Sequence, residues 1–181
     1  MRASVAGSLV LALTALGGAC SSGSHSSTGA PPGTAVVLAT HCQATPVHYE
    51  RLAGARADSV PSTLPWVAAS GGRIVGILFY YGVPTLRQAR TPRLVIGVHG
   101  QISGGVNTKI LWWVRGGVTG AKMLVRGTRL DGRGSFRETW PAAVGSDTNP
   151  SIVTVPKTGC WRLDLRAGTA AGSLILGAQP L

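Results

Sequence analysis

Acidic residues are scarce in this chain. Only six Asp and Glu stand among 181 residues, against 17 Lys and Arg, for a formal charge of +11. So few carboxylates leave little material for a paired general acid and base, because Asp131, Glu138, Asp147 and Asp164 are scattered through loops and a strand. Other signatures are missing too. A hydrolase needs a nucleophile and a base held by a third group, and no GxSxG turn surrounds any serine; Ser103 in HGQISGG carries no signature. HGQISGGVNTK is glycine-rich but lacks the GxxxxGK[ST] order of a phosphate loop. The expectation is therefore a protein without enzymatic activity and without a cofactor. Long helical periodicity is absent beyond the first twenty residues, which excludes a helical bundle. Gly 26 and Pro 11 punctuate short apolar runs, the pattern of an all-β chain.

What the first twenty residues do have is MRASVAGSLVLALTALGGAC: one arginine, an apolar stretch from Val5 to Leu16, then small residues before Cys20. The apolar stretch is too short to remain as a membrane helix, which needs about 20 residues, and the order of parts is that of a secretory signal. Its end resembles a bacterial lipobox, where a cysteine receives a lipid and the peptide is cut before it. Gly17 stands where a lipobox usually carries leucine, so an ordinary signal peptidase releasing a soluble protein is the competing reading. SSGSHSSTGAPPG, which follows Cys20, suits a flexible tether with a reach on the order of 20 Å. The expected organisation is a lipoprotein-type signal over 1–19, a Ser/Gly-rich tether over 20–33 and one domain over 34–181. The expected location is the outer face of a membrane, held by lipid on Cys20, or otherwise secretion.

Cys42 and Cys160 remain. An even pair in an oxidising compartment reads as a disulfide, here closing a loop of more than a hundred residues. The alternative is a metal site built on His41, Cys42 and His48 in HCQATPVH. That spacing matches no structural zinc pattern and lacks a second CxxC or HxxxH; copper would need Met123 as a further ligand. No metal is expected.

About eight or nine strands are expected, spaced as in an antiparallel sandwich. They are TAVVLAT (34–40), PVHYERL (46–52), RIVGILFYYG (73–82), LVIGVHG (94–100), KILWWVRGG (109–117), AKMLVRGTRLDG (121–132), SFRETW (135–140), SIVTVP (151–156), CWRLDLR (160–166) and GSLILGA (172–178), PVHYERL and SFRETW being the weakest. Residues 55–67, 86–93 and 101–108 read as connections, with Trp66 packed over a core edge. In CWRLDLR, Trp161, Leu163 and Leu165 share one face while Arg162, Asp164 and Arg166 share the other, so one face is buried and one is wet. In KILWWVR, Ile110, Trp112 and Val114 oppose Leu111, Trp113 and Arg115, and at least one tryptophan belongs in the core.

The stretch VPKTGCWRLDLRAG resembles the late strand of immunoglobulin-like domains. That resemblance places Trp161 where a corner tyrosine stands, after Gly159, and Leu163 where the usual core cysteine stands. Cys160 then has the parity of the wet face and needs a partner near the surface, a place that Cys42 would fill from an N-terminal segment lying on the sandwich. The lipoprotein signal, tether, KILWWV, VRGTRLDG and TGCWRLDL together resemble uncharacterised exported lipoproteins of high-GC Gram-positive bacteria, over about Thr34 to Ala178. The resemblance implies an immunoglobulin-like β-sandwich and brings no catalytic residues.

The functional expectation is a non-catalytic binding or structural module of the envelope. Its partner would be a wall polymer, a glycan or an envelope protein. The alternative is a small secreted hydrolase or metal-binding protein using His41, His48 or His99. The surplus of arginine forms no dense run and names no specific nucleic acid. A third and weaker reading is a polyanion binder, with Arg126, Arg129, Arg133 and Arg137, which flank the LDG turn, as the expected contacts for a teichoic or nucleic acid.

Overall fold

A computed structural model of the chain describes residues 42–55, 60–82 and 92–180. Cys20, the signal and tether, the expected strand over 34–40, His41 and most of the basic loop over 86–93 lie outside these residues. Within them the chain is all-β. Its strands are β1 (Trp66–Ala68), β2 (Ile74–Leu78), β3 (Val95–Gly97), β4 (Gln101–Ile102), β5 (Val106–Asn107) and β6 (Lys109–Val114). β7 (Met123–Arg129), β8 (Ser135–Trp140), β9 (Thr148–Ile152), β10 (Gly159–Ala167) and β11 (Ala170–Gln179) follow.

One sheet has the order β1-β2-β6-β9 and the other β3-β11-β10-β7-β8, while β4 and β5 form a small hairpin. All pairings are antiparallel except that of β3 with β11. The two larger sheets share one apolar core. Val67, Ile74, Ile110 and Trp112 come from the first, and Met123, Val125, Leu163 and Leu174 from the second. Burying each such side chain is worth roughly 1.5–3 kcal/mol. The alternation in CWRLDLR is realised: Trp161, Leu163 and Leu165 are buried, Arg162 and Arg166 are exposed, and Asp164 is half-buried.

The corner that leads into β10 is built from three neighbouring residues. Gly159 has φ +132°, and a Cβ there would press on the Asp131 carboxylate and the Arg129 side chain. Asp131 accepts a hydrogen bond from the Cys160 amide at 3.0 Å. The buried Trp161 indole donates back to the Lys157 carbonyl at 3.0 Å.

Cys42 and Cys160 are joined, their sulfurs 2.06 Å apart. Cys160 does point to the outer face of its sheet, yet it is only 4% exposed because the N-terminal segment covers it. That segment also completes the free edge of β11. Thr45 exchanges hydrogen bonds with Ile175, Ser70 with Ser173, and β3 takes over at Gly177. Three short pieces thus close an edge that would otherwise be open to strand addition.

Several boundaries differ from the sequence reading. Residues 46–52 form no strand and make only isolated bridges, Pro46 to Arg93 and His48 to Trp66. The run from 73 to 82 leaves strand geometry after Leu78 and enters a 3₁₀ turn. There the Tyr80 and Tyr81 hydroxyls donate to the carbonyls of Val95 and Arg93, both at 2.8 Å. Burial pushes the pKa of both phenols above the ordinary tyrosine value. β9 lies three residues before the expected 151–156, with Pro150 inside it. An edge strand tolerates that proline because its missing N–H faces no neighbour. Residues 101–108, read as a connection, contain the β4–β5 hairpin.

Both tryptophans of KILWWV are buried. Trp112 lies in the shared core. Trp113 lies on the opposite face with Leu52, Val60, Val75 and Ile77, in a second cluster that Leu64 and Trp66 flank. Leu52, Ala55, Val60 and Leu64, which precede β1, therefore roof the outer side of the β1-β2-β6-β9 sheet.

Candidate functional site

Among the described residues, the outer face of the other sheet has no such roof over most of its area. Strand register places its outward residues in rows. Arg137 on β8 faces Arg126 on β7, which faces Asp164 on β10, which faces Ser173 on β11. In the next row Thr139 faces Leu124, Leu124 faces Arg166, and Arg166 faces Ala171. On the other side Ser135 faces Thr128, and Thr128 faces Arg162. Four arginines thus surround one aspartate on an exposed β surface. The centre of the face is an open depression of about 790 Å³, rimmed by Ser70 where the β1–β2 turn reaches β11.

The charges on this face are not balanced. Arg162 Nε donates to Asp164 Oδ1 at 2.8 Å, which uses the only carboxylate in the rows. Among the described residues no ion pair engages Arg126, Arg137 or Arg166. Arg126 and Arg137 are directly opposed across β7 and β8, where side chains of adjacent strands are about 5 Å apart at Cβ and like charges repel.

Of the expected polyanion contacts, Arg126 and Arg137 belong to this face and Arg129 and Arg133 do not. Arg129 follows the inward parity of Val125 and Gly127, and its Nε donates to Asp131 Oδ1 at 2.8 Å. Arg133 is exposed in the β7–β8 turn. Arg162 and Arg166 were missed as part of the surface, although the alternation of CWRLDLR had already put them on a wet face. What was not legible was that β7 is the hydrogen-bonded neighbour of β10.

The indoles and the described acids are committed to structure. All five indoles donate: Trp66 to the Glu50 carbonyl, Trp112 to Ser151, Trp113 to Asp147, Trp140 to Glu138 and Trp161 to the Lys157 carbonyl. Each described acid holds a partner as well: Glu50 with His48, Asp131 with Arg129, Glu138 with Trp140, Asp147 with Trp113 and Asp164 with Arg162. The His48 ring stacks on Trp66 with centroids 4.1 Å apart. His99 is exposed, in a left-handed conformation at φ 62° in the turn after β3. The structure brings these two histidines into no shared cluster. Cys42 is bonded to Cys160, so it offers no thiolate, and Met123 is in the core. Among the described residues no three His, Cys, Asp or Glu are grouped to hold a metal ion. Nor is any described helix long and apolar enough to cross a membrane.

Comparison with protein-family models, with curated proteins and with solved structures gave no match.

Proposed function

We propose that this chain is an exported binding module with no catalytic role. It is anchored outside a cell membrane by lipid on Cys20, and it meets its partner through the arginine-lined face of β7, β8, β10 and β11. The observation that carries the reading is the unbalanced charge of that face. Arg126, Arg137 and Arg166 stand on an exposed surface with no ion pair among the described residues, while every described acid is engaged in structure.

The fold within this proposal is an immunoglobulin-like sandwich. Its support is the strand order. β2 and β3 divide the first strand of such a domain between two sheets, β3 runs parallel to the last strand, and β10 and β7 occupy the centre of the second sheet. Trp161 takes the part of the corner tyrosine, its polar tip bonded to backbone four residues upstream.

Intact mass of the chain extracted from membranes of an expressing bacterium tests the anchoring. The expected species begins at Cys20, carries a diacylglycerol-type lipid and lacks two hydrogens for the Cys42–Cys160 bond. A species beginning at Cys20 without lipid, released to the medium, would replace anchoring with secretion. Retention of residues 1–19 would overturn both.

A further inference from the structure

We infer that the arginine face takes a linear phosphodiester polymer whose repeats carry hydroxyls instead of bases, lying across β8, β7 and β10. The inference rests on the proposed binding role of that face and names its ligand.

Charge, shape and the absence of aromatics each narrow the occupant. Arg126 and Arg137, opposed across adjacent strands, form a destabilising like-charge pair that an anion between them would relieve. Guanidinium groups suit phosphate because two parallel N–H donors meet two oxygens. Arg166 lies one row away along β10, and Arg162, bridged to Asp164, one row away on the other side, so cations spread over three rows around the Asp164 carboxylate. Repeating anions spaced along a chain match such a spread of cations better than one small ligand does.

Single-stranded nucleic acid is held by aromatic platforms on which bases stack. This face has none among the described residues: it presents arginine, threonine, serine, Leu124 and the Asp164 carboxylate bridged to Arg162, Glu138 bonded to the Trp140 indole also lines the depression, and all five indoles are committed elsewhere. A bilayer surface is flat, whereas this face is an open depression rimmed by Ser70. Of the exposed aliphatic tips, Val118 and Val144 sit in the loops after β6 and β8, off this face, leaving Leu124 as the single exposed aliphatic residue described among its arginines. Ser70, Ser173 and Thr139 supply hydroxyls at the depression, able to pair with the hydroxyls of a polyol backbone.

The test is a titration of the full chain, purified in detergent, with synthetic poly(glycerol phosphate), followed by fluorescence anisotropy of a labelled polymer. Three unpaired arginines contacting phosphates give a log–log salt slope of about −2, or roughly 15-fold weaker binding between 50 and 200 mM salt. Arg126→Gln/Arg137→Gln is expected to cut that loss to roughly 3-fold and to weaken binding at low salt at least tenfold. Arg133→Gln/Lys157→Gln removes the same charge away from the face and is expected to change affinity less than twofold. Circular dichroism melts of each variant establish that it is folded, and Arg126→Lys/Arg137→Lys should recover part of the binding.

Equal weakening by both double glutamine variants would overturn the inference, as would salt-independent binding. Tighter binding to single-stranded DNA of equal phosphate number, or to phosphatidylglycerol vesicles, would overturn it in favour of those occupants. A chain that carries lipid on Cys20 but ignores the polymer sinks this inference alone. A chain that binds the polymer but lacks lipid sinks only the anchoring.

Discussion

Asp131 ties two strand ends together with one carboxylate, accepting from Arg129 Nε and from the Cys160 amide. Partial burial alone would raise its pKa. That effect is outweighed by the Cys160 amide and by the Arg129 hydrogen bond and charge, so the net shift is downward. A carboxylate with a lowered folded pKa adds stability that is complete above its unfolded value, near pH 4, and is lost as pH falls through the lower folded value. Melting temperature is therefore expected to drop as pH falls below about 4, with a shallower drop in Asp131→Asn; parallel curves for the two proteins would contradict this. Gly127 carries a different constraint, since a Cβ there would overlap the Phe136 ring across β7 and β8. Gly127→Ala should cost roughly 1–3 kcal/mol by overpacking, read from urea unfolding. Arg137→Gln should leave stability unchanged or slightly higher, because it removes one member of a like-charge pair.

At the scale of elements, the informative case is β2, where every residue of IVGIL is buried. Strict alternation would have one wet face, but a continuous apolar run signals burial on both. The roof formed by Leu52, Val60 and Leu64 supplies the second covering, with Trp113 packed beneath it. Trp113→Ala is expected to destabilise by about 3–5 kcal/mol, the cost of a large core truncation. A loss below about 1 kcal/mol in urea unfolding would mean that the roof is not packed. β8 and β10 were legible because alternation and flanking glycines agree with their position in the sheet. Residues 46–52 were misread because β-propensity is real there but the partners are a single bridge on each side. β9 was displaced because Pro150 argues against a strand unless the strand is known to be an edge. The candidate site was half legible for a similar reason. Alternation assigns each arginine to a face, but only strand pairing decides which arginines meet, and that depends on contacts far apart in sequence.

Across the whole molecule, the disulfide and the charge distribution act at opposite ends of one sheet face. Cys42–Cys160 closes a loop of 118 residues and pins the N-terminal segment over the start of β10. Chain-entropy scaling makes such a closure worth about 4–5 kcal/mol. Reduction should therefore lower the urea midpoint markedly, a large share of a typical domain stability of about 5–15 kcal/mol; an unchanged midpoint would show that the segment is held by its other contacts alone. The rest of the face is left to the arginines. With five described acids each engaged locally, the excess positive charge on this face has no internal partner among the described residues, and the proposed occupant is an external anion. Backbone amide chemical shifts recorded while poly(glycerol phosphate) is added test this most directly. The account predicts perturbations concentrated at 124–126, 137–139 and 162–166. Shifts confined to the 129–133 turn, to His48 and Trp66 or to the Val118 and Val144 loops, or no shifts at all, would contradict it.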